Sequence, residues 1–112
     1  MYEVTKLENI PVVKITGEID ISNAYKMKQF IHENILNNGE KYCILDLSHL
    51  KYIDSSGLGI LVGLHKSFKL QGGEIVLVNM NENIKNLLRL TSLDRVLNIK
   101  ETIKAAIDFL KS

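Results

Sequence analysis

The order of apolar and polar positions divides the chain into strands and helices that alternate. Residues 2–8 and 11–16 read as two strands around a tight connection at Glu8-Asn9-Ile10-Pro11. Val13 and Ile15 alternate with Lys14 and Thr16, the period-two pattern of a strand with one wet face. Pro11 suits a strand start, where its missing N–H does no harm. Gly17-Glu18-Ile19-Asp20 then ends the second strand in a loop. Ser22 is the expected N-cap of a helix whose inward stripe is Ala24, Met27, Ile31 and Ile35, with Phe30 alongside. Gly39, after Asn37-Asn38, is placed to take its left-handed cap.

Residues 42–47 and 74–78 are nearly continuous apolar runs, the mark of parallel strands covered on both faces. His49 to Ile53 reads as a short irregular passage between the first of these and a second helix. That helix carries Leu58, Leu61, Val62, His65 and Phe68 at helical spacing until Gly72-Gly73 stops it. Asn81 caps a third helix with Ile84, Leu87 and Leu88 inward, and Leu97-Asn98-Ile99 is a short fifth strand. A last helix from about Thr102 buries Ile103, Ala106, Ile107 and Leu110. The order ββαβαβαβα predicts one α/β domain over residues 1–112 with right-handed crossovers.

Composition narrows the function classes. Fourteen basic and 13 acidic side chains give a net charge of +1 with no block of like charge. That argues against a nucleic-acid surface and against a polybasic membrane patch. Cys43 is the only cysteine, so no disulfide framework forms within one chain and a reduced, cytoplasmic setting is expected. Neither a signal peptide nor a membrane-spanning run is visible; the longest apolar run, Leu58–Leu64, is broken by glycines.

In a sheet of this kind the loops after the strands gather at one edge, where ligand chemistry usually lies. Asp20, Asp46 and Asp54 are expected there with Ser55 and Ser56. The two hydroxyls stand at the N-terminus of the second helix, where free N–H groups and the helix dipole welcome an anion. The plain alternative is capping, since Asp and Ser are common N-caps. Three strand-end carboxylates could also hold Mg²⁺ as in a phospho-accepting receiver domain. That chemistry wants paired acids after the first strand, where Leu7-Glu8-Asn9 stands instead. Gly57, Gly59 and Gly63 lie inside the helix with the wrong spacing for a dinucleotide loop, and are read as letting the helix pack close on the sheet. His32, His49 and His65 lack metal-ligand spacing, and no Gly-x-Ser-x-Gly elbow occurs. No catalytic constellation survives, so the chain reads as a non-enzyme without a cofactor.

Four segments together carry a family resemblance: Gly17-Glu18-Ile19-Asp20, Leu45-Asp46-Leu47-Ser48, Ile53-Asp54-Ser55-Ser56-Gly57-Leu58-Gly59, and Gly72-Gly73-Glu74. Over nearly its full length the chain resembles a STAS domain, in particular the bacterial anti-sigma factor antagonists of sporulation and general stress. The resemblance implies a single STAS domain with a mixed, mostly parallel sheet of about five strands and four helices, wound as a βα superhelix. It implies that Ser55 is a phosphoacceptor with Asp20 beside it, and that Asp20, Asp54, Ser55, Ser56, Gly57 and Leu58 meet the partner. That partner would be an anti-sigma factor with GHKL-type serine kinase activity, which supplies its own ATP and Mg²⁺, and a PP2C-type serine phosphatase would reset the switch. The protein would then be a monomer or weak dimer that touches neither nucleic acid nor membrane. STAS domains also serve as scaffold subunits of signalling assemblies and as accessory subunits of lipid transporters, and both readings stand beside the switch.

Overall fold

The computed structural model describes residues 1–112. A five-stranded sheet runs in the order β1 (Tyr2–Leu7), β2 (Ile10–Ile19), β3 (Tyr42–Ile53), β4 (Glu74–Val78), β5 (Asn98–Lys100). The β1–β2 pair is antiparallel and every other pair is parallel. Glu8 and Asn9 make the hairpin turn with φ of 50° and 67°. Two successive left-handed residues give a two-residue turn whose twist matches the strands it joins.

Helices α1 (Ala24–Asn34), α2 (Ser55–Leu70) and α3 (Glu82–Leu90) connect neighbouring parallel strands, and α4 (Ile103–Lys111) ends the chain. Alternation along the strands divides the core between the two faces of the sheet. Val13, Cys43, Leu45, Ile75 and Leu77 pack with Met27, Ile31, Leu61, Leu64, Phe68, Ile84 and Leu88, which places α1, α2 and α3 on one face. Ile10, Val12, Ile44, Val76 and Val78 pack with Ala106 and Ile107 of α4 on the other. Each connection steps to the next strand across the same face, which is the βα superhelix.

Helix ends follow local chemistry. Asn81 Oδ1 accepts the Ile84 N–H at 2.9 Å and Thr102 Oγ1 accepts the Ala105 N–H at 3.1 Å. Gly39, at φ 85°, closes the 3₁₀ turn Leu36–Asn38 that follows α1. The expected Ser22 cap is not formed: Asn23 is the N-cap of α1, and Ser22 turns to Asp20 instead.

Four other expectations are corrected. The second strand does not stop at Thr16 but runs to Ile19, with a register shift at Gly17, whose φ is 105°. The passage His49–Ile53 is not irregular; it is the second half of a 12-residue β3. Within α2 the buried stripe is Gly57, Leu58, Leu61, Leu64 and Phe68, while Val62 and His65 are only half-buried. Close packing on the sheet accounts for Gly57 alone, since Gly59 and Gly63 face open space.

Candidate functional site

The site is assembled where β2 and β3 end together. Their last rung pairs Ile19 with Ile53, and the Asp54 N–H donates to the Ile19 carbonyl at 3.1 Å. Asp20 and Asp54 are therefore the first residues beyond one shared rung. Both strands are buried there, Ile19 and Ile53 being almost inaccessible, so the two loops are held by packing as well as by the ladder.

Asp54 is the N-cap of α2, and its Oδ1 accepts the Gly57 N–H at 3.1 Å. The Leu58 N–H makes the first bond of the helix, to the Asp54 carbonyl at 3.0 Å. Ser55 and Ser56 occupy the first two helical positions, whose N–H groups have no acceptor within the helix. Ser55 is exposed, whereas Ser56 is half-buried. Gly57 lies against the end of the sheet: a Cβ there would come within 2.5 Å of Ile53 Cγ1 and 2.7 Å of Ile19 Cγ2. The absence of a side chain at Gly57 thus lets the helix start directly on the last rung, and Leu58 is buried behind it.

Asp20 is fixed by its own loop. Its Oδ1 accepts the Ser22 N–H at 2.9 Å and the Ser22 hydroxyl at 2.5 Å, and these bonds hold its carboxyl below the usual carboxylate range. Asn23 completes the loop, accepting the Asp20 N–H and donating to the Glu18 carbonyl, both at 2.9 Å. The Asp20 carboxylate spends its hydrogen bonds on Ser22 and makes none with Ser55.

Asp46 is not part of this group. It lies in the middle of β3, only 6% exposed, and its Oδ1 accepts from the Asn79 side chain at 3.1 Å and from the Ser48 N–H at 3.0 Å. Burial pushes its carboxyl up, but hydrogen bonds from Asn79 and Ser48, with Lys14 nearby, outweigh that and hold it low. Apolar side chains that periodicity does not point to are also exposed close in sequence to the two loops. Ile21, Tyr25 and Tyr52 are 83%, 61% and 53% exposed. Tyr25 and Tyr52 stand beside buried positions of α1 and β3 but out of phase with them, while Ile21 lies in the loop before α1. No group of three or more His, Cys, Asp and Glu side chains is arranged to hold a metal ion. No helix is long and apolar enough to cross a membrane.

Comparison with known proteins agrees with this architecture. The STAS domain model matches residues 1–106. A Thermotoga maritima protein named provisionally as an anti-sigma factor antagonist is 33% identical over 108 residues, covering 96% of each chain. The anti-sigma-B factor antagonist of Bacillus subtilis is 34% identical over 98 residues, covering 87% of each chain. Among solved structures, that of a T. maritima protein described in the same provisional terms superposes with a TM-score of 0.93 at 32% identity, covering 99% of this chain and 95% of the other. Matched by the domain model along most of its length and by relatives of its own size, the chain belongs to the STAS domain family.

Proposed function

We propose that the protein is an anti-sigma factor antagonist that works as a partner switch, with Ser55 as its phosphoacceptor. Relatives at 33–34% identity carry that functional name, and their matches span most of both chains. The observation that carries the reading is the exposed Ser55 at the first position of α2, with its cap supplied by Asp54 and not by its own hydroxyl. A serine freed from capping is open to a kinase. Ile21, Tyr25 and Tyr52, exposed and close in sequence to the Asp20 and Asp54 loops, give a protein partner apolar surface to bury.

In this reading the unphosphorylated chain binds an anti-sigma factor that is a GHKL-type serine kinase, and the sigma factor goes free. The kinase, holding its own ATP and Mg²⁺, transfers the γ-phosphoryl group to Ser55 Oγ and the complex separates. A PP2C-type phosphatase removes the group. The physics of separation is local. Phosphate adds about −1.5 to −2 charges beside Asp20 and Asp54. The amino end of α2 accommodates that charge, so the fold need not change. A partner surface shaped for a neutral hydroxyl must instead desolvate a dianion without a counter-charge, which is costly.

The test is capture followed by modification. The Ser55→Ala chain is used to retain binding proteins from its native cell extract, and the retained kinase is identified by mass spectrometry. Wild-type protein incubated with that kinase and Mg-ATP should carry phosphate on Ser55. Phosphate mapped to Ser56 or Tyr52, or capture of no kinase, overturns the reading.

A further inference from the structure

The strand that delivers Ser55 outruns one of its neighbours. β3 pairs with β4 only from Tyr42 to Asp46, yet it continues through Leu47–Ile53 before reaching Asp54. That is roughly 23 Å of strand at about 3.3 Å per residue. On the β2 side the ladder persists to the Ile19–Ile53 rung. On the β4 side the sheet has ended, and carbonyls of β3 need other partners there.

One side-chain amide of the β4–α3 loop, that of Asn81, meets that need, and the Asn79 amide binds β3 at the root of the overhang. Asn79 Nδ2 donates to Asp46 Oδ1 at 3.1 Å, at the last rung itself. Asn81 Nδ2 donates to the Leu50 carbonyl at 3.2 Å, with the Lys51 carbonyl at 3.4 Å. Each asparagine has a second duty that other residues could perform. Asn81 Oδ1 caps α3 through the Ile84 N–H, a task for which serine suffices. Asn79 holds a φ of 61°, which glycine adopts freely. Neither serine nor glycine brings an amide donor that reaches β3. Asn81 therefore clasps the overhang of β3 to the start of α3, while Asn79 ties the root of the overhang, at Asp46, to the end of β4.

We propose that Asn81, assisted by Asn79, is a positioning residue for Ser55, fixing the direction in which the β3 overhang presents the serine to the kinase. The inference rests on the phosphoacceptor reading of Ser55. Phosphoryl transfer depends on in-line alignment of the attacking oxygen, and a displacement of about 1 Å can lower a rate on the order of a hundredfold. A strand whose backbone is paired along one flank only has fewer bonds near its tip, and the clasp adds to the packing of Leu50 and Ile53 in restricting its movement.

Asn81→Ser and Asn79→Gly separate the clasp from the cap and from the left-handed turn. Amide hydrogen exchange of the free proteins, read by NMR, is the first arm. The Asp54 N–H, bonded to Ile19, should exchange about fivefold faster in each variant, the scale expected for loss of one hydrogen bond. Amides of α3 and β4 should keep wild-type rates. The second arm is phosphorylation by the captured kinase, where kcat should fall about tenfold while KM stays within about twofold, as expected when alignment and not affinity is lost. Unchanged Asp54 exchange in both variants, exchange raised equally across α3 and β4, or an unchanged kcat overturns the proposal. A kinase that leaves wild-type Ser55 unmodified overturns the acceptor reading instead, and the exchange rates still decide whether the clasp holds the overhang.

Discussion

The Asp54 N–H donates to the Ile19 carbonyl just beyond the last rung of the β2–β3 ladder, where two loops 35 residues apart in sequence lie side by side. Asp20 follows Ile19, and Ser55 follows Asp54, so the anionic loop and the hydroxyl are registered by the sheet and not by any bond between them. The geometry makes the site stiff in its backbone and open in its chemistry. A charge can be added at Ser55 without breaking a hydrogen bond its side chain makes.

The cap of α2 belongs to Asp54, which gives two substitutions opposite outcomes. Asp54→Ala should cost about 0.5–2 kcal/mol, the usual loss for an N-cap. Ser56→Ala, at the second helical position, should stay within about 0.5 kcal/mol of wild type. Urea unfolding of both variants measures the difference, and a larger loss for Ser56→Ala would place the cap on the wrong residue.

Three glycines of α2 should separate in the same assay. Gly57→Ala drives a Cβ into Ile53 and Ile19 and should destabilise by about 1–3 kcal/mol. Gly59 and Gly63 face open space on the helix surface, so alanine at either should stabilise by about 0.5–1 kcal/mol. Destabilisation at Gly59 or Gly63 would mean that this face of α2 is covered.

Acid should weaken the fold through identifiable groups. The folded state holds Asp20, Asp46 and Glu74 below their ordinary range. A depressed carboxyl contributes stability that is complete above its unfolded pKa and is lost as pH falls through the folded value. The loss therefore falls below about pH 4. Asp46→Asn removes one titrating group, so its stability should decline less steeply over that range in urea melts between about pH 2.5 and 7. An identical acid slope in the variant would show that Asp46 titrates as it does in the unfolded chain.

Phosphorylation should leave a local signature. Backbone amide shifts should move over residues 18–24 and 52–60, the two loops that share the Ile19–Ile53 rung, and little elsewhere. Broad movement through α4, on the far face of the sheet, would replace a surface switch with a rearrangement of the fold.

Much of this was legible in the sequence wherever burial is one-sided and regular. The stripes of α1 and α4 and the apolar runs of β3 and β4 follow simple periods, and Gly39, Asn81 and Thr102 mark helix ends by their own chemistry. The second half of β3 was not legible, because Leu50 and Ile53 are buried three residues apart with exposed positions between them. A register shift between Lys14 and Thr16 breaks the period of two there, so a strand looks like a loop. The placement of Asp46 was misjudged for the same reason, since a strand that seemed to end at Leu47 put it near the tip. Asp20 and Ser55 are singled out by their motifs. Asn81 is visible only as a cap, because the contacts of Asn79 and Asn81 with β3 span some 30 positions of sequence that no local pattern encodes.

The central claim is that charge at Ser55 governs partner binding, and calorimetric titration of the captured kinase in the presence of ADP tests it most directly. Ser55→Ala should bind with nearly wild-type affinity, Ser55→Asp much more weakly, and phosphorylated wild type most weakly, because a carboxylate carries less charge than a phosphate. Ser55→Asp binding as tightly as Ser55→Ala would contradict the account.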